Sequence, residues 1–408
     1  MKSNRNFIFL MLGQSVANIG DVLYIVAIIS VLYKLTQSAT VSSFVPFSIT
    51  FAMFISSILT PLLIEKFNLK SLLLSSQIGK TVLLIGLGIF MMNSLNSRNY
   101  YLIFIIIVGV ALLDGCANPI KQTLIPYYVE DNLLIKANGI SETMTQSIQI
   151  GTWFFGSLLL IVFNANQLIW FVMVLFSISS ILLSFLNKVE YEAENQEQKW
   201  TVLTRGWKSI NHNPLLGKVV WMEFLETVAS SVWIAAILYV FVEKALKVQE
   251  QWWGFINSSF FIGLVLGSIL CIKFSRLVDE KRNVFIMTGA LMTCVCTILF
   301  GTTSVPVMAL ILSTLIGLFG QLKNIPQQTL IQTSVSKEQL ATVYTSIGTI
   351  STGVFGVSSL VMGLISDYFG VRSVFILSGI LLAIVSLITF KNRKLFVKDG
   401  RRQSSSLR

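Results

Sequence analysis

Asp21, Glu223 and Glu226 are carboxylates inside long apolar runs of this 408-residue chain, where a charge has no obvious solvent. An ionisable side chain inside such a run costs about 2.5–3.5 kcal/mol on insertion scales, which makes it a functional candidate by default. Asp21 falls about 14 residues into the first run, close to its middle at about 1.5 Å per residue. Glu223 and Glu226 fall about 8 and 11 residues into the seventh, one i,i+3 step apart and so on a similar face. Desolvation favours the neutral form of a carboxyl, so such a group can load and release a proton. Ionised, it can hold a cation, and proton and cationic substrate then compete for one site. Gln14 and Asn18 precede Asp21 by one to two turns. They either complete a polar cavity with it or hold it in a structural hydrogen bond. Glu223, nearer the start of its run, has water or Lys218 as alternative partners.

Lys80 and Asp114 form a second candidate pair, read mainly as a buried structural ion pair, because breaking it would strand a charge. Glu142, Gln146 and Gln149 are polar cavity candidates on the fifth run. Trp153 and Trp233, together with Trp221, face either a hydrophobic ligand or the lipid. Gly79-Lys80-Thr81 ends like a phosphate-binding loop, but Leu74 stands where the loop needs its first glycine. The single histidine, His212, lies in the linker and belongs to no recognised nucleophile–base motif, so no enzyme reading follows. Cys294 and Cys296 have no second pair or histidine nearby to complete a metal site. No metal or cofactor is expected, and without an ATP motif the energy source is expected to be the proton gradient.

The elements that must position these groups follow from hydropathy. The chain is 54% hydrophobic and only 12% charged, with a mean hydropathy of +0.75. A soluble domain carries about 25% charged residues, so this surface suits lipid. Apolar runs of at least 18 residues, enough to cross about 30 Å of hydrocarbon, predict helices at 7–33, 40–64, 71–93, 100–121, 141–163 and 167–187. Six more are predicted at 215–242, 252–273, 283–302, 305–323, 341–365 and 371–390. The first reads as a retained helix rather than a cleaved leader. With the N-terminus inside, 24 of the 30 Lys and Arg fall in cytoplasmic segments and 5 in outer ones, with Lys80 alone inside a helix. That split follows the positive-inside rule only if the number of spans is right. It places both termini in the cytoplasm and accounts for the net charge of +11 without nucleic acid.

Asn118-Pro-Ile-Lys-Gln-Thr-Leu-Ile125 aligns with Asn324-Ile-Pro-Gln-Gln-Thr-Leu-Ile331 at an offset of 206, and Ser57-Ile-Leu59 with Ser268-Ile-Leu270 at 211. Both offsets are near half the chain and pair equivalent helices, as a parallel six-plus-six duplication requires. The expected organisation is an N-terminal half at 1–187, a cytoplasmic linker at 188–213, a C-terminal half at 214–390 and a basic tail at 391–408. The linker is expected to carry a surface-lying amphipathic piece near Trp200–Ile210.

With these features the chain resembles the major facilitator superfamily, and within it the macrolide-efflux and enterobactin-exporter-like branch. Three stretches carry the resemblance: Asn118-Pro119…Gln122-Thr-Leu-Ile-Pro126…Leu133…Ala137-Asn-Gly139; Arg205-Gly-Trp-Lys208…Asn213-Pro-Leu-Leu216; and Asn18…Gly20-Asp21. It departs at the loop between helices two and three, where the family commonly reads Gly-x-x-x-Asp-Arg-x-Gly-Arg-Lys. Pro61 stands at the first glycine, Glu65-Lys66 replaces Asp-Arg, Asn68-Leu69 replaces Gly-Arg, and Lys70 is kept. The resemblance implies an all-α membrane fold of 12 helices in two halves, with helices one and seven lining a central cavity. Glu65, Lys66 and Lys70 would form a gating loop. The implied function is proton-coupled efflux of an amphipathic small molecule, a drug such as a macrolide or a siderophore, by a monomer in the bacterial cell (inner) membrane. In helix five, Gly151 and Gly156 of the antiporter motif remain, but Trp153 stands where proline is common. Two alternatives stay open: transport of a lysophospholipid or other lipid, and a non-transporting receptor or assembly partner that uses the basic tail.

Overall fold

The computed structural model describes residues 4–397 except 38, 97, 190–198, 234 and 250; the side chains of 33, 39, 40, 42, 43, 153–162, 199–202, 235 and 236 also lie outside the description. The described chain is helical, as the apolar runs predict. Its first helices are α1 (Arg5–Thr36), α2 (Ala39–Ile64) and α3 (Leu69–Asn93). The fourth passage is two helices, α4 (Tyr101–Asp114) and α5 (Ala117–Tyr128). Then come α6 (Leu134–Val162), α7 (Ala165–Ser184), the linker helix α8 (Lys199–His212) and α9 (Pro214–Ser230). A 3₁₀ turn, α10 (Ala235–Val240) and a π-helical segment, Phe241–Leu246, finish the seventh passage. The chain continues through α11 (Gln251–Lys273), the short α12 (Ser275–Glu280), α13 (Arg282–Thr302), α14 (Pro306–Ser334), α15 (Lys337–Phe369) and α16 (Val371–Lys391).

Ten helices among the described residues are long and apolar enough to cross a membrane, and the bent seventh passage brings the number to 11. Helix α6, with 29 residues, is not among these; its stretch from Leu134 to Gln149 carries Lys136, Glu142, Gln146 and Gln149. The protein is a multi-pass membrane protein.

Helix ends follow local chemistry. Asn213 caps α9 by accepting from the Leu215 and Leu216 amides, with Pro214 in the first turn. Asn164 and Gln167 form a reciprocal capping box at α7.

Three expected spans are corrected. The span at 100–121 runs on to Tyr128 and breaks near Gly115, because Pro119 has no N–H to offer the Gly115 carbonyl. The span at 305–323 continues to Ser334, with Pro326 accommodated inside it. The span at 215–242 is bent by 54° between Pro214–Trp233 and Ile237–Leu246. There Ser230 and Ser231 donate their hydroxyls to the carbonyls of Thr227 and Val228, a competing bond that bends helices.

The contacts form two compact units: Met1–Val129 with Met144–Ser209 and Lys337–Gly353, and Glu130–Thr143 with Ile210–Ser336 and Val354–Arg408. These differ from contiguous halves because α6 and α15 are each shared. The first unit's core includes Leu23, Ile28, Leu84, Ile107, Val172 and Phe176. The second centres on an aromatic nest of Phe241, Phe300, Phe375 and Trp233. In that unit α11 and α14 approach so closely that a Cβ on Gly263 would lie 2.0 Å from the Thr314 carbonyl oxygen, and one on Gly317 2.2 Å from that of Phe260. Without a hydrophobic driving force between helices in lipid, such small-residue contact is how they associate.

Candidate functional site

In the first unit three helices bring together Asp21 (α1), Lys80 (α3) and Asp114 (α4). The Lys80 Nζ lies 2.7 Å from Asp21 Oδ1 and 2.5 Å from Asp114 Oδ1. Lys80 is 1% exposed, and the two acids 19% and 20%. The Phe176 ring of α7 lies 4.7 Å from the ammonium, at cation–π distance. One buried cation therefore answers two carboxylates, and the cluster is one negative charge in excess when all three are ionised. Asp21's partner is Lys80, in place of the Gln14 or Asn18 hydrogen bond considered from sequence. Gln14 is buried, and Asn18 is half-buried one turn before Asp21.

The second unit holds a counterpart. Glu226 on α9 accepts a hydrogen bond from and is ion-paired with Lys323 on α14. Glu226 follows Asp21 by 205 residues, within one residue of the Gln-Thr-Leu-Ile offset. The acids thus occupy repeat-equivalent positions, while their cations come from non-equivalent helices, the third and the tenth. The predicted span at 305–323 ends on Lys323, which the positive-inside count takes as cytoplasmic. The continuation of α14 carries it into the helix interior, and it is only 5% exposed. The missed signal was the apolar pattern resuming after it, at Ile325, Leu330 and Ile331, all buried. Lys121, likewise counted as cytoplasmic, is buried on α5.

Glu226 and Lys323 line a partly open cavity of about 160 Å³ whose walls come from α9, α11, α13, α14 and α16, and Trp233 lines it too. Trp233 stacks on Phe260 at 5.9 Å and 16°. Thr297, on the α13 wall, is fully buried, and its hydroxyl has no hydrogen-bond partner. Glu223 lies half-buried one turn before Glu226.

The other predicted residues have these contacts. Glu142 accepts from the amides of Gln321 (3.3 Å) and Gln328 (3.5 Å) on α14. Gln146 and Gln149 follow it on α6, half-buried. The Trp153 side chain lies outside the described ones. Glu65 meets Arg205 of α8 at 3.5 Å, Lys70 donates to the Ser184 carbonyl, and Lys66 is exposed. The linker acids Glu190, Glu192, Glu194 and Glu197, and the tail from 398, lie outside the described residues. Among the described residues no group of three or more His, Cys, Asp and Glu is placed to hold a metal ion.

The model of the Major Facilitator Superfamily matches residues 10–355 and 224–403. The uncharacterized MFS-type transporter YfmI of Bacillus subtilis (strain 168) is 29% identical over 396 residues, 95% of this chain and 96% of that one. YjbB of the same organism, also an uncharacterized MFS-type transporter, is 26% identical, with 96% of both chains covered. Among solved structures, the human organic anion transporter MFSD10 (TETRAN) superposes with a TM-score of 0.79 at 9% identity, covering 95% of this chain and 100% of its own. The E. coli fucose:proton symporter FucP gives 0.74 at 13%, covering 97% and 98%. At these identities the superpositions establish the fold.

Proposed function

The chain belongs to the major facilitator superfamily, and we propose that it is a proton-coupled secondary transporter that exports an amphipathic small molecule by alternating access. One observation carries the reading: a single buried ammonium, Lys80, held by two carboxylates, Asp21 and Asp114. In low dielectric an uncompensated charge is the costly state. Taking up one proton on Asp21 or Asp114 leaves one acid for one base and makes the cluster neutral. Releasing it requires water to reach the cluster, which links the proton to the side on which the protein is open. The fucose:proton symporter, a neighbour in fold, is by its name a proton-driven carrier, which is compatible with this use of the scaffold.

Efflux, and a cargo such as a macrolide or a siderophore, is supported by the likeness of Asn118-Pro119…Gln122-Thr-Leu-Ile-Pro126 and Arg205-Gly-Trp-Lys208 to the corresponding stretches of the macrolide-efflux and enterobactin-exporter-like branch. The positive-inside distribution supports a bacterial cell membrane location with both termini cytoplasmic.

The test is a screen in an exporter-deficient host, followed by flux measurements in proteoliposomes. Wild type and Asp21→Asn are compared for efflux of a macrolide, a cationic dye and a catecholate siderophore. The variant is expected to bind the exported compound yet lose accumulation against a gradient under an imposed ΔpH. Unchanged proton-driven transport in both Asp21→Asn and Asp114→Asn would refute the coupling assignment.

A further inference from the structure

The cavity beside Glu226 and Lys323 has a definite size and charge logic. At about 160 Å³ it is close to the roughly 150 Å³ that admits a benzene ring when the walls are apolar. The stacked rings of Trp233 and Phe260, with Leu264 and Ile316, supply such walls.

The polar groups decide the sign of a ligand. A cation entering here must take Glu226 from Lys323, leaving the buried ammonium unpaired beside a second positive charge. Removing one partner of a buried pair is strongly unfavourable. An anion needs only a proton on Glu226, whereupon the charge of Lys323 passes to the ligand and the site stays neutral. Among the described residues the walls on α11, α13 and α16 contribute no ionisable group and α14 adds the neutral Asn324, while α9 carries one further acid, Glu223, one turn before Glu226 and outside the lining. The unpartnered hydroxyl of Thr297 is an independent sign of a ligand, because a buried polar group ordinarily has a partner.

We propose that this cavity is a subsite for a single-ring organic anion, an aromatic carboxylate or phenolate, whose oxygens meet Lys323 and Thr297 and whose binding carries one proton onto Glu226. The inference rests on the transporter reading and names the charge and size of the group that the cavity takes.

The probe is benzoate, with benzylammonium as its cationic counterpart. Binding to the purified full chain in nanodiscs is measured by calorimetry at several pH values, in buffers of different ionisation heat. Benzoate is expected to bind with uptake of about one proton, its affinity falling by up to about tenfold per pH unit as pH rises. Glu226→Gln, which mimics the protonated acid, binds benzoate with no proton uptake and little pH dependence. Thr297→Val weakens binding by about three- to tenfold. Lys323→Arg retains it, and the charge-free pair Glu226→Gln/Lys323→Met, stable without either charge, loses it.

Benzylammonium binding by wild type would overturn the proposal, as would benzoate binding without proton uptake or no benzoate binding by folded wild type. Asp21→Asn separates this inference from the transport reading, since it is expected to abolish proton-driven transport while leaving benzoate binding intact. Lost benzoate binding with transport retained would sink the subsite alone.

Discussion

Replacing Lys80 with methionine tests whether the first unit's cluster is a buried charge balance. The side chain is 1% exposed and touches both acids within 2.7 Å, so its removal strands two carboxylates at once. Breaking a buried pair by deleting one partner costs about 3–5 kcal/mol. The two acids are each about one-fifth exposed, so some solvation remains and the lower half of that range is expected. The loss of the Phe176 contact adds about 0.5–2 kcal/mol. The Lys80→Met variant should therefore unfold more readily by about 3.5–6 kcal/mol in SDS titration of the purified protein in mixed micelles. Neutralising the stranded groups gives the decisive comparison. The triple variant Asp21→Asn/Lys80→Met/Asp114→Asn should recover most of the lost stability, since it leaves no unpaired charge, while remaining dead in proton-driven transport. A loss below about 1 kcal/mol in Lys80→Met, or a triple variant no more stable than the single one, would refute the argument.

Gly206→Val should detach the linker helix and expose it to proteolysis, because a Cβ there would lie 2.3 Å from both the Thr342 carbonyl oxygen and the Ser346 hydroxyl. Gly217→Val, whose nearest such atom is 3.8 Å away, should not. Arg282→Met should cost about 3–5 kcal/mol in the same SDS titration, because Arg282 and Asp279 are 3% and 8% exposed and 2.5 Å apart. Arg282→Lys should recover part of that, since an ammonium cannot reproduce the bonds to both Asp279 and Thr333. Asn213→Ala should cost about 1 kcal/mol through loss of the α9 cap, read as a lower apparent melting temperature.

The membrane architecture was legible because its cause is local. A run of 18 or more apolar residues must hydrogen-bond its own backbone in lipid, and helix is the answer open to a single segment. The repeat of Gln-Thr-Leu-Ile was readable because it is a property of the order of residues along the chain. Asp21 and Glu226 stood out because a charge in an apolar run is anomalous wherever it occurs. Lys80 stood out too, through its pairing with Asp114, but its tie to Asp21 did not, and neither did Lys323. Lys80 reaches Asp21 across 59 residues and Lys323 reaches Glu226 across 97, and no local pattern records which faces of two distant helices meet. Lys323 was missed outright, because Lys-Asn-Ile-Pro reads as a helix end, whereas packing carries α14 through Pro326 to Ser334. The sharing of α6 and α15 between the two units was equally invisible, because it follows from which helices their ends touch. The sequence alone determined that acids sit in the membrane; the tertiary structure decided which bases answer them, since the energy of a buried charge depends on what lies within a few ångströms in space.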